Sequence, residues 1–172
     1  MIRNRAALLI AFVAMLFAGL EPVAANPPEV RVELPGNSVT PLSETEVVLL
    51  NESQHPIYLN WMFPGSVALL ERRSELTGEW EKGRGPIQCA TVKDRTEPRK
   101  LPPASRLSLP IWWDNAVVDV DGVMVFKTVD GESTKLEGQF RITVHYALEP
   151  WTLGNKPSAI LEAVSPPFEM KP

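Results

Sequence analysis

The chain has 172 residues, a net charge of −4 and a single cysteine. One cysteine excludes an internal disulfide, so the stability of the fold must come from a core, which a domain of this length can supply. The acidic balance argues against nucleic acid or an anionic membrane surface as the partner.

The first 25 residues have the three-part organisation of a secretory signal peptide. Two arginines give a cationic start, an apolar run fills residues 6–20, and small residues precede Asn26. This pattern predicts cleavage between Ala25 and Asn26, a periplasmic or secreted mature protein, and no stable membrane insertion after cleavage. The alternative is an uncleaved membrane anchor, but the apolar run is shorter than the roughly 20 residues that a spanning helix needs.

Residues 26–172 are predicted to form a single domain. Prolines are spread along this part of the chain, and proline is poorly tolerated inside helices and central strands. The apolar segments between them are short and often alternate with polar residues, which is typical of strands.

The predicted strands follow one another at short intervals. They cover residues 30–34, 44–51, 57–61, 66–72, 87–92, 107–111, 117–120, 123–129, 140–146 and 159–164. After residues 66–72 the chain is expected to turn and form a strand that runs back through Trp80. Residues 66–72 could instead form one or two helical turns. Asp121-Gly122 predicts a tight hairpin, because both turn positions need positive φ, and Asp130-Gly131 predicts a second turn. Pro166-Pro167 is expected to stop the last strand.

The strand over residues 140–146 has the clearest pattern. Large apolar side chains occupy one face, and Arg141, Thr143 and His145 occupy the other, which we expect to point outward. A succession of such short strands with turns between them predicts an all-β fold, an antiparallel β-sandwich.

Several segments resemble the immunoglobulin-like β-sandwiches common in bacterial exported proteins. They are Val47 to Ser53, Pro56 to Leu59, Gly78-Glu79-Trp80, Leu101 to Ser105, Gly138 to Val144 and Ser165 to Glu169. The resemblance implies an immunoglobulin-like sandwich of Greek-key type, with Phe140 where a tyrosine is usual. It implies an architecture and no activity.

The residues that could carry catalysis lack the surroundings that catalysis needs. No serine lies in a Gly-x-Ser-x-Gly elbow, and Cys89 lacks the surroundings of a protease cysteine. Cys89 is expected to be a half-buried strand residue, with a reactive thiol as the alternative. We predict a protein that is not an enzyme and has no cofactor or catalytic residues.

Two polar motifs have alternative interpretations. His55 and His145 could contribute to a metal site only if the fold brought them together with a third ligand, so no metal site is predicted. Asn51-Glu52-Ser53 matches the acceptor pattern for N-glycosylation.

The tryptophans are the best candidates for binding. By alternation with the preceding residues, Trp113 points into the core and Trp112 outward, and Trp151 lies in a loop. Exposed indole rings anchor partner proteins or stack on sugars. The sequence therefore predicts a protein that binds another envelope or secreted protein through Trp112 and Trp151. A carbohydrate-binding module and a small metal-binding envelope protein are the alternatives.

Overall fold

The computed structural model describes residues 29–40, 45–59, 67–86, 99–111, 113, 116–150 and 156–170. Every regular secondary-structure element in this part of the chain is a β-strand, which confirms the predicted all-β class. No helix in these residues is long and apolar enough to cross a membrane. In chain order the strands are β1 (Val30–Glu33), β2 (Ser38–Val39), β3 (Thr45–Asn51), β4 (Ile57–Leu59), β5 (Ala68–Arg73), β6 (Trp80–Pro86), β7 (Arg99–Leu101), β8 (Ser105–Ile111), β9 (Val117–Val120), β10 (Val123–Lys127), β11 (Ser133–Lys135), β12 (Gln139–Tyr146), β13 (Leu161–Val164) and β14 (Phe168–Met170).

Two sheets form a β-sandwich in which the strand pairings are antiparallel, except that of β2 with β14, which is parallel. The smaller sheet has the order β1-β3-β8, and the larger has the order β2-β14-β12-β5-β6, with β13 also paired to β12. The chain crosses from the smaller to the larger sheet between β3 and β5, and again between β8 and β12. This order matches the A-B-E and G-F-C strands of immunoglobulin-like domains. The predicted sandwich is therefore confirmed.

The core lies between the two sheets and follows from the alternation of the strands. Val47 and Leu49 of β3 are fully buried and face inward, as do Phe140 and Ile142 of β12. Phe126 of β10 meets Phe140 edge to face, with ring centroids 5.7 Å apart, a geometry that aromatic pairs prefer.

A third sheet, β11-β10-β9, continues the larger sheet beyond β6. Gly83 and Thr128 form a bridge, and the Val129 amide donates a hydrogen bond to the Lys82 carbonyl over 3.0 Å. A Cβ on Gly83 would lie 2.8 Å from both the Leu70 carbonyl oxygen and the Phe126 ring. Glycine at this position therefore lets Phe126 pack directly on the backbone of β6.

The hairpin between β9 and β10 turns as predicted. Asp121 and Gly122 both have positive φ, 54° and 81°, as a two-residue turn of this type requires. The Asp119 carboxylate accepts a hydrogen bond from the Gly122 amide at 2.8 Å. In the second turn, only Gly131 of the Asp-Gly pair has positive φ.

The sequence allows a strand or helical turns over residues 66–72. The structure has a strand there, β5, over residues 68–73. The short strands β2, β7 and β14 were not predicted, because two or three residues show no alternation. Strand β13 ends at Val164, before Pro166-Pro167 as expected, but it is not the last strand, because β14 pairs with β12 from Phe168.

Ser165 explains how the sheet continues past the prolines. Its amide donates to the Ile142 carbonyl, and its hydroxyl accepts from the Ile142 amide, both at 2.9 Å. The hydroxyl thus replaces the carbonyl that a regular strand would supply. Ser165 is buried, so this side chain satisfies a backbone group that water could not reach.

Asn51 closes a corner between β3 and the loops beside it. Its amide nitrogen donates to the carbonyls of His55, Leu101 and Pro102 at 2.8, 3.0 and 3.0 Å, and its Oδ1 accepts from the Ser53 hydroxyl at 2.6 Å. Asn51 is 1% exposed. The acceptor nitrogen of the glycosylation pattern is therefore buried and engaged in this fold.

Candidate interaction face

The larger sheet and the sheet β11-β10-β9 present one continuous side away from the core, which we call the outward face. Residues directly opposite each other on paired strands share a face. Arg141 lies opposite Glu71, Glu71 opposite Lys82, and Arg73 opposite Trp80. The outward face comprises Leu69, Glu71, Arg73, Trp80, Lys82, Val118, Val120, Val123, Val125, Lys127, Ser133, Lys135, Gln139, Arg141, Thr143, His145, Glu162, Val164 and Glu169.

Valines dominate the β9–β10 part of the outward face. Val120 lies opposite Val123, and Val118 lies opposite Val125. Phe126 of β10 packs into the core, so its neighbour Val125 must point away from it. Val120 and Val123 are 42% and 56% exposed. We call these two pairs of valines the valine ladder, and they form an apolar surface in contact with solvent.

A buried carboxylate lies at the centre of the outward face. Glu71 is 3% exposed. Its Oε2 accepts from the Arg141 Nε at 2.6 Å and from the Thr143 hydroxyl at 2.8 Å. The charge of Glu71 is thus paired and hydrogen-bonded, the condition under which a buried carboxylate is tolerated.

Arg141 is held from a second side by Trp80. The guanidinium carbon lies 4.4 Å from the centroid of the Trp80 ring, a cation–π contact. The Nε is engaged by Glu71, while the two terminal amino groups have no hydrogen-bond partner among the described residues. The Arg141 side chain is 26% exposed. The guanidinium is therefore fixed in place, and the part of the chain that the structure describes leaves its terminal amino donors unused.

The outward side of β12 is less open than the sequence suggests. Thr143 lies on the outward side of β12, as the alternation predicts, but it is 2% exposed because it packs and bonds against Glu71 of the neighbouring strand. His145 lies on the outward face as predicted, with its Nε2 at 3.1 Å from Glu162 of β13.

The predicted binding residues Trp112 and Trp151 lie outside the described residues, as do Cys89 and the predicted cleavage site at Ala25 and Asn26. The prediction that Trp113 points inward is confirmed, because it is 1% exposed. Its indole nitrogen is buried without a hydrogen-bond partner in the described part of the chain.

The two histidines considered as metal ligands have other surroundings. His145 is bonded to Glu162, and the backbone of His55 takes part in the Asn51 corner. Within the residues that the structure covers, no group of three or more histidine, cysteine, aspartate or glutamate side chains could hold a metal ion.

Sequence reasoning did not single out Glu71, Trp80 or Arg141. The signal available was a glutamate inside an apolar strand, Ala68-Leu69-Leu70-Glu71, on the opposite face from Leu70. A buried strand tolerates such a charge only with a partner. The outward face of the 140–146 pattern offers Arg141, but only the register of β5 and β12 identifies the pair.

Comparison with known proteins identifies no relative by sequence. No family model matches the chain, and no curated protein matches it. Among solved structures, the chain has a weak likeness to a β-glucosidase from Listeria innocua in complex with gluconolactone, at 9% identity and a TM-score of 0.30. A mutant of that enzyme with laminaribiose gives the same values. The likeness covers 83% of this chain but 16% of the enzyme, and it carries no argument about function.

Proposed function

We propose that this protein is an exported, non-catalytic β-sandwich that binds another protein of the envelope or the extracellular space through its outward face. The predicted signal peptide supports export. The observation that carries the binding proposal is the valine ladder, because Val120 and Val123 lie opposite each other and are both largely exposed. Contiguous exposed apolar surface of this kind is typical of protein interaction sites.

Further features of the outward face agree with this role. Val129, next to the bridge with β6, is 64% exposed and extends the apolar surface toward Lys82. Trp80 and Arg141 belong to the residue types that most often dominate protein interfaces. In this role the valines supply apolar area and the tryptophan–arginine pair supplies a rigid anchor.

The test is chemical cross-linking in the native compartment with the tagged full chain. We expect one or a few discrete protein adducts. The double variant Val120→Thr and Val123→Thr keeps the shape of the side chains and removes apolar contact. At about 1 kcal/mol for each valine, it should reduce the adducts roughly tenfold or more.

Val48→Thr is the matched control, because Val48 is a half-buried valine on the outward side of the smaller sheet. It should leave the adducts unchanged. Equal loss from both variants, or no discrete adduct from the unmodified chain, would contradict the proposed function.

A further inference from the structure

Cations collect on the outward face although the molecule as a whole is acidic. Register places five on this side, two of them on the sheet β11-β10-β9. They are Arg73, Lys82, Lys127, Lys135 and Arg141. The whole chain carries −4, so the charge of this face is opposite in sign to that of the molecule.

Five cations stand against three strand carboxylates on this side, which leaves a smaller excess of positive charge. Glu71 is buried against Arg141, Glu162 of β13 contacts His145 of β12, and Glu169 lies opposite Gln139 at the other end of β12. Arg73, Lys82 and Lys135 are exposed. An approaching group therefore meets net positive charge at the centre of the face, over β5, β6 and β10.

From these features we infer that the outward face recognises a carboxylate-rich segment of a partner protein, with Arg141 as its anchor. This inference rests on the proposed function and names the chemistry of the partner. The two terminal amino groups of Arg141 can receive a carboxylate in a planar, two-point contact. Because Glu71 and Trp80 already fix the guanidinium, little side-chain entropy is lost when the carboxylate binds.

A protein segment fits the surface better than a lipid layer or another polyanion. The cations are interspersed with Val120, Val123 and Val129, which a partner with apolar side chains would cover. Extended polyanions are repelled by the acidic remainder of the molecule, whereas a short segment meets only this face.

The test is an NMR titration of the isotope-labelled chain with two synthetic peptides. One peptide alternates glutamate with leucine, and the other replaces every glutamate with glutamine. We expect the acidic peptide to shift amide signals of Lys82, Val123 and Arg141, and the glutamine peptide to shift none. Equal shifts with both peptides, or none with either, would overturn the inference.

Charge reversal locates the contact. Lys82→Glu should weaken binding of the acidic peptide roughly tenfold. Arg106→Glu changes the net charge equally but lies on the outward side of the smaller sheet, where Arg106 is exposed, and should change binding by less than about twofold. Equal weakening by both would mean that only net charge matters and would contradict a site.

The anchor is tested in a form that keeps the fold. Arg141→Gln alone leaves Glu71 buried without a cation, so it is combined with Glu71→Gln, which retains a neutral hydrogen-bonded pair. We expect the double variant to keep its dispersed NMR spectrum and to lose at least about fivefold in peptide affinity. Unchanged affinity would overturn the role of Arg141.

The last experiment measures binding of the chain to vesicles containing phosphatidylglycerol. Binding to these vesicles without binding to the acidic peptide would replace a protein partner with an anionic lipid and overturn the inference. Failure of this inference can be distinguished from failure of the proposed function. If cross-linking captures a specific partner through the valines while the acidic peptide does not bind, binding stands and the carboxylate chemistry fails.

Discussion

Asn51 shows how one polar side chain can fix the path of three chain segments. It ends β3 and bonds to carbonyls of the loop before β4, of the last residue of β7 and of the turn that follows. Since these groups are buried or partly buried, water cannot readily replace the amide. The Asn-x-Ser pattern in the sequence therefore marks a structural corner.

Asn51→Ala is expected to lower the free energy of unfolding by about 3 kcal/mol, because it leaves several buried backbone groups unpaired. Urea denaturation measures the loss. Asn37, which is exposed, is the control, and Asn37→Ala should cost less than about 0.5 kcal/mol. A loss at Asn51 no greater than at Asn37 would show that the corner does not depend on this side chain.

Burial alters the ionisation of Tyr146. Desolvation by burial at the end of β12 raises the pKa of its phenol above the usual 10.0. The phenol therefore remains neutral wherever a free tyrosine would.

At the scale of elements, alternation identified the long strands and several short ones, such as β4 and β9, but missed β2, β7 and β14. The strands β3, β8 and β12 each span seven or eight residues, enough for a period of two to be visible. The pairing of β14 beyond Pro166-Pro167 depends on Ser165 acting in place of a backbone group. No local pattern encodes that substitution, because it depends on which strand lies alongside.

Ser165→Ala is expected to cost about 1–3 kcal/mol, since the buried Ile142 amide loses its acceptor. Native-state hydrogen exchange should show faster exchange of the Ile142 amide than in the unmodified protein. Ser108→Ala, at an exposed position of β8, should leave that amide unchanged. An Ile142 amide with unaltered protection in Ser165→Ala would contradict the role of the hydroxyl.

The outward face could be predicted only in part. The sequence places Arg141 and Thr143 outward on their strand and the valines beside the Asp121-Gly122 turn. It does not give the register that sets Glu71 against Arg141, or the bridge from Gly83 to Thr128 that joins the two sheets. The register and the bridge both depend on pairing between distant parts of the chain, which alternation within a strand does not predict.

For the whole molecule, the separation of charge between the two sides bears on function. The outward face has an excess of cations over carboxylates together with exposed valines, whereas charges of both signs are balanced on the smaller sheet, as at Arg31 and Glu33, which pair at 3.1 Å. Balanced charges leave little net field to attract a charged partner. The larger sheet is therefore the side from which we expect a partner to approach.

The most direct test of this expectation is a photo-cross-linker placed at single exposed positions on both sides of the sandwich, in cells of the native host. Lys82, Val123 and Lys135 sample the outward face, and Glu46, Arg106 and Ser108 sample the smaller sheet. We predict that the first three positions capture the same partner protein and that the last three capture none. Capture chiefly from the smaller sheet would contradict the account.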